Sequence, residues 1–268
     1  MDLRLAGKTA LVWGGSKGMG YACALRLARE GVSVTLAART ESTLKAAARA
    51  INGACAGNAA GDAAGGSANY AMADIRTEAG RAAALAVCPR PDILINNADG
   101  PPVKDMDHLT RDDWLAAFDA MAIGPIEMIK ATVDGMLERG FGRIVNITSR
   151  SVKIPQHELG LSNGARSVLV GFVAGLSRKT VRGNVTINNI LPGIFATDAQ
   201  KHHVQGLVEQ TGRPFEEIWA ERSRGNPAGR YGDPDEVGAL CAYLCSGLTG
   251  FITGQSFLID GGSYPGTF

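Results

Sequence analysis

Hydrophobic and polar positions follow two different rhythms along this chain. Short runs rich in β-branched and aliphatic residues, at 9–13, 33–37, 70–73, 93–96, 143–148, 185–191 and 256–259, read as strands. Between them the apolar positions recur at helical spacing, at 18–30, 41–51, 77–87, 111–139, 162–181 and 235–244. Strands alternating with helices are the pattern of successive βαβ units, so one mostly parallel sheet with helices on both faces is predicted. Two helix starts carry chemical signals. Thr110 with Asp113, just before Trp114, Leu115 and Phe118, predicts a capping box, and Pro234 suits the first turn of the last helix. The stretch 52–67, rich in Gly and Ala, has no bulky apolar anchor and predicts a mobile surface loop. The alternation resumes directly after it, which argues against an interdomain linker and for a single domain over 1–268.

Composition narrows the partners. Lys and Arg number 27 against 26 for Asp and Glu, a net charge of +1, so no overall field attracts nucleic acid or an anionic membrane, and a small-molecule substrate is expected. The cysteines (Cys23, Cys55, Cys88, Cys241 and Cys245) are odd in number and scattered, with no zinc-type spacing and no disulfide framework. No metal site and a reducing, cytoplasmic setting follow as expectations. The start Met1-Asp2-Leu3-Arg4 is charged with no apolar stretch behind it, which predicts no secretory leader. The most apolar stretch elsewhere, 168–176, falls short of the roughly 20 residues that span a bilayer.

The first strand runs into Gly14-Gly15-Ser16-Lys17-Gly18-Met19-Gly20, which opens directly into an amphipathic helix. Glycines at such a turn let the backbone approach a pyrophosphate closely, and the helix N-terminus supplies free N–H groups and a positive dipole end. Strand before, helix after and second strand on schedule make this a dinucleotide turn, and the fold class a Rossmann α/β fold. An NAD-specific site would place a carboxylate at the end of the second strand; here stand Ala37-Ala38-Arg39-Thr40. Arg39 can pair with a 2′-phosphate and Lys17 adds a second positive charge, so the predicted cofactor is NADP(H).

Further tags follow in order: Asp74-Ile75 after the third strand, Asn96-Asn97-Ala98 after the fourth, Val145-Asn146-Ile147-Thr148-Ser149 on the fifth, Pro192-Gly193 after the sixth, and Asp260-Gly261-Gly262 near the end. With Trp13-Gly14-x-x-x-Gly18-x-Gly20 they resemble the short-chain dehydrogenase/reductase family over nearly the whole chain. The resemblance implies that Asp74 and Ile75 meet the adenine, Asn97 the adenosine ribose region, and Ile194 with Thr197 the nicotinamide carboxamide. It also implies a homotetramer or dimer. Two tags depart from the family: Trp13 replaces a usual Thr and reads as packing, and Asp99 replaces a usual Gly, where it can hydrogen-bond the following loop or contact ribose.

The departures at the catalytic positions go further. The family serine is kept as Ser149, but the tyrosine position falls on Ser162, the lysine position on Arg166 and the asparagine position on Met121. An aliphatic hydroxyl is a far weaker acid than a phenol, so Ser162 is a poor proton donor. Arg166, one turn after Ser162, can hold ribose hydroxyls or clamp a carboxylate but cannot shuttle protons. Lys153 and His157, between Ser149 and Ser162, are candidates for a relocated acid. His202 and His203 follow Pro192-Gly193 in a lid segment and, without carboxylate partners, read as surface residues. The leading expectation is an NADPH-dependent reductase or dehydrogenase of a small carbonyl or alcohol with altered acid/base groups. A non-redox enzyme on the same scaffold and a dinucleotide sensor or inactive homologue are the alternatives.

Overall fold

The computed structural model describes residues 1–56, 65–101 and 106–267. Its sheet is built from β1 (Thr9–Trp13), β2 (Ser33–Ala38), β3 (Ala68–Met72), β4 (Ile93–Asn97), β5 (Gly142–Ile147), β6 (Val185–Pro192) and β7 (Ser256–Ile259). The spatial order is β3-β2-β1-β4-β5-β6-β7, every neighbouring pair parallel. The chain reverses its direction of growth between β1 and β4, and such switch points open a crevice at the carboxyl ends of the strands.

Side-chain alternation along β1 shows how the layers form. Ala10 and Val12 join a core with α1 (Gly18–Arg29), α2 (Glu41–Ala56) and α9 (Pro234–Cys245). Leu11 and Trp13 face the other way, into a core with α3 (Glu78–Val87), α5 (Gly124–Glu138) and α6 (Gly160–Thr180). The expected Rossmann architecture is thus present, with Trp13 in a packing role. Both helix-start signals hold: Thr110 and Asp113 close the capping box of α4 (Arg111–Phe118), and Pro234 opens α9 behind a second box from Asp233 and Glu236. All five cysteines are free and buried.

Two expectations need correction. The predicted loop at 52–67 starts later, because α2 continues to Ala56: Cys55 is buried, and Asn52 clasps the backbone of Ala68 through Nδ2 to O at 2.9 Å and N to Oδ1 at 2.7 Å. Residues 57–64 lie outside the described residues. The helix predicted over 111–139 is interrupted by a π turn, Asp119–Ile123. Pro125 has no N–H to return to the preceding turn, and the Gly124 N–H reaches Asp119 O instead, five residues back. The segment after Pro192-Gly193, for which the sequence pattern sets no elements, carries two helices, α7 (Asp198–Thr211) and α8 (Phe215–Arg224).

Helix α6 lies within the one segment, among the described residues, long and apolar enough to cross a membrane by length and composition. Its stripe Leu161, Ala165, Leu169 and Val173 is buried inside this fold, as in a core helix.

The sheet also carries a polar line that the alternation of strands does not announce. Asn96, Asn146, Asn189 and Ser256 stand side by side on β4 to β7, each Asn Nδ2 donating a hydrogen bond to the next side-chain oxygen at 2.9, 3.1 and 3.2 Å. Asn146 is fully buried and serves both neighbours. Asn146→Leu leaves two buried amides short of a partner, at roughly 1–3 kcal/mol each. Urea unfolding is expected to show a loss of about 2–4 kcal/mol with an unchanged m value.

Candidate active site

The glycine turn forms a cradle with no room for a side chain at Gly14, Gly15 or Gly20. Gly14 and Gly18 adopt positive φ of 61° and 54°, and a Cβ on Gly14 would stand 2.5 Å from Asn97 Nδ2. Asn97 closes the turn, its Nδ2 donating to Gly14 O at 3.3 Å. A groove of about 440 Å³ opens over this turn, lined by Gly14, Ser16, Lys17, Gly18, Met19 and Arg39 at one end and by Thr148, Arg166, Thr197 and His202 at the other. Thr197 caps α7 by accepting the Gln200 N–H at 3.2 Å, which fixes its place on the groove wall. Ile194 is buried behind that wall, its carbonyl accepting the Gly232 N–H.

Next to it lies a cavity of about 250 Å³ lined by Trp13, Ala38, Arg39, Asp74, Ile75 and Asp99 among others. Two ion pairs shape its mouth. Arg76 chelates Asp74, with Nε 3.0 Å from each carboxylate oxygen, and this holds the Asp74 carboxyl below the usual range. Arg39, expected to be free for a 2′-phosphate, donates to Asp99 at 3.1 Å. Both partners are largely exposed, so the pair is worth well under about 1 kcal/mol and a dianionic ligand can displace the carboxylate.

The catalytic positions are brought together only in part. Ser149, at the end of β5, accepts the Ser151 N–H at 3.1 Å, which leaves its hydroxyl proton free to point elsewhere. Ser162 and Arg166 face each other on successive turns of α6, with Nε donating to the Ser162 Oγ at 3.1 Å. The same guanidinium donates from Nη1 to Ile147 O at 3.1 Å and from Nη2 to Ala98 O at 3.4 Å, joining the ends of β5 and β4. It is buried, and burial pushes its pKa down to about 10, still charged at neutral pH. Three of its donors are thus committed to the protein, which makes Arg166 an anchor as well as a candidate contact for ribose hydroxyls or a carboxylate. Met121 sits in a small apolar cluster with Ala117, Leu161 and Ala165, behind this anchor.

Neither candidate for a relocated acid lines the groove. Lys153 Nζ stands 5.5 Å above the Tyr264 ring, and His157 is exposed on a short 3-10 turn. The residues missed by sequence reasoning lie instead on α7. A cleft of about 550 Å³ beside the groove is lined by Ser162 and Leu159 on one side and by Ala199, His202, His203 and Gly206 on the other. His203 is half-buried, and burial together with the charge of Arg222 depresses its pKa. His202 is exposed, as its surface reading expects, and the spacing 199, 202, 203, 206, 207, 210 is one face of a helix, the signal in the sequence that both histidines share a side of α7 with the cleft.

This geometry, a glycine cradle at a parallel-sheet switch point with a second cleft beside it, has clear relatives. Residues 14–264 match the family model described as enoyl-(acyl carrier protein) reductase. Acetoacetyl-CoA reductase from Cupriavidus necator is 30% identical over 266 residues, covering 97% of this chain and 99% of the relative. The chain belongs to the short-chain dehydrogenase/reductase family. Another member, the NADPH-dependent reductase BacG of Bacillus subtilis, is 29% identical over 96% of this chain and 97% of its own length. L-sorbose reductase from Gluconobacter frateurii, solved with NADPH and L-sorbose, superposes with a TM-score of 0.91 over the full length of both chains; at 24% identity the likeness is one of fold. As a short-chain dehydrogenase/reductase the chain is an oxidoreductase.

Proposed function

We propose that the chain is an NADP(H)-dependent oxidoreductase interconverting a small carbonyl compound and its alcohol, with Ser162 and Arg166 in place of the family's tyrosine and lysine. The observation that carries this reading is the groove, which joins the glycine cradle and the cations Lys17 and Arg39 to Ser162's partner Arg166 at the other end. The cradle fits the group, since its glycines leave the space a pyrophosphate needs. When bound, NADPH supplies a hydride to the substrate carbon.

The residues divide the remaining work. Gly14, Ser16, Gly18, Met19 and Gly20 hold the pyrophosphate, Lys17 and Arg39 the 2′-phosphate, and Asp74, Ile75 and Asn97 the adenosine. Ile194 and Thr197 flank the nicotinamide. Ser149 orients the substrate oxygen through its free hydroxyl proton. A guanidinium has five N–H groups; with three committed to protein acceptors, Arg166 keeps two for ribose hydroxyls.

Fluorescence titration tests the cofactor assignment: NADPH is expected to bind at least about tenfold more tightly than NADH, a difference of roughly 1.4 kcal/mol. Equal or tighter binding of NADH would overturn it. Oxidation of NADPH by at least one member of a carbonyl panel is then expected, and tight binding with no turnover across the panel would overturn the reductase reading in favour of a sensor.

Asp99 gives a finer check. Releasing Arg39 by Asp99→Gly removes both a competing carboxylate and a negative charge close to the incoming phosphate. NADPH should bind about two- to fivefold more tightly, consistent with an exposed pair of at most about 1 kcal/mol, with NADH affinity unchanged.

A further inference from the structure

A carbonyl reduced by hydride needs a proton on its oxygen, and none of the candidates along the stretch from Ser149 to Arg166 supplies one readily. The Ser162 hydroxyl is a weak acid and accepts from Arg166, while Arg166 holds its protons at neutral pH. Lys153 is turned to the Tyr264 ring and His157 faces solvent. Across the cleft from Ser162, α7 presents an imidazole in a position shared by no other titratable side chain among the described residues. His202 lines both the dinucleotide groove, with Arg166, Thr148 and Thr197, and the neighbouring cleft, with Ser162. Its place is fixed from the sequence upward: Thr197 caps α7, and the imidazole emerges at the end of the first turn and a half.

We propose that His202 is the general acid of the reduction and the general base of the reverse reaction, replacing the absent tyrosine from the opposite wall of the site. This rests on the oxidoreductase reading above. In the reductive direction the carbonyl carbon takes the hydride that NADPH provides and the C=O π pair passes to oxygen. The oxygen then takes the proton of an imidazolium nitrogen of His202. The products are the alcohol, NADP⁺ and a neutral imidazole, which recovers its proton directly from water because His202 is exposed. Imidazole is the side chain whose ordinary titration range brackets neutrality, which suits transfer in both directions.

The charged side chains that line the groove with His202 are Lys17 from the glycine turn, Arg39 and Asp99 from the ends of β2 and β4, Arg166 from α6, and Asp198 on its own helix. His203 shares the cleft.

The experiment uses the full chain with NADPH and a carbonyl substrate from the panel. His202→Gln is expected to lower kcat about 100-fold or more and to remove one limb of the kcat pH profile, with the Kd for NADPH within about threefold of wild type. His203→Gln is the comparison variant, and it should retain that limb. A second readout needs no turnover: with ¹³Cε1-labelled histidine, the resonance missing from His202→Gln should shift when NADP⁺ is added to the wild-type protein. An active His202→Gln with an intact pH limb overturns the inference while leaving the reductase reading in place, as does a His202 resonance that ignores NADP⁺. A wild-type chain that binds NADPH and reduces nothing overturns both.

Discussion

Alanine in place of Gly20 is expected to weaken NADPH binding by at least about 100-fold, or roughly 2.7 kcal/mol. The methyl group would fall on the Gly14 carbonyl oxygen and lie 2.8 Å from Asn97 Nδ2. Neither neighbour can yield cheaply. Gly14 is a backbone group held at positive φ, and Asn97 Nδ2 is the donor that closes the turn on Gly14 O. The strain therefore spreads along the segment from Gly14 to Gly20, where the N–H groups must converge on a pyrophosphate. Gly53→Ala, in α2, is the fitting comparison because a Cβ there meets nothing within 4 Å. It should keep full affinity and gain about 0.5–1 kcal/mol of stability from helix propensity. Titration of both variants checks the argument, and affinity in Gly20→Ala within threefold of wild type would contradict it.

The fold was legible because its signals are local. Each strand is a short apolar run, each helix a 3.6-residue period, and Gly14 to Gly20 is a backbone requirement written directly into residue type. The π turn was not, since it follows from a single missing N–H at Pro125 inside an otherwise helical pattern. The extension of α2 depends on a tertiary clasp between Asn52 and Ala68, invisible to periodicity. At the site, identities carried over but commitments did not. Arg39 and Arg166 read as free cations in the sequence; the structure spends one on Asp99 and the other on Ser162, Ile147 and Ala98. Lys153 and His157 are close to Ser149 in sequence yet do not line the groove, whereas His202, more than fifty positions along, is carried back to it by α7.

Arg166→Met tests what the anchor is for, and stability and binding are expected to separate. Burial pushes the pKa of this guanidinium down to about 10, so holding its charge costs the folded state on the order of 3 kcal/mol. Three hydrogen bonds from a charged donor oppose this, at roughly 1.5–3 kcal/mol each. Methionine forfeits those bonds, recovers the desolvation cost and fills most of the volume, so the net loss in urea unfolding should be only about 1–3 kcal/mol. Cofactor binding has no such compensation. The two uncommitted N–H groups disappear from the groove, and the ends of β4 and β5 lose the tie that sets Ala98 beside Ile147. NADPH affinity and turnover are each expected to fall about 100-fold or more. Arg166→Lys returns the charge and should restore affinity to within about tenfold of wild type. It cannot restore stability, because an ammonium on a flexible stem does not reach three acceptors fixed around a planar fork. A methionine variant that unfolds by much more than 3 kcal/mol while binding NADPH normally would make Arg166 a structural strut alone.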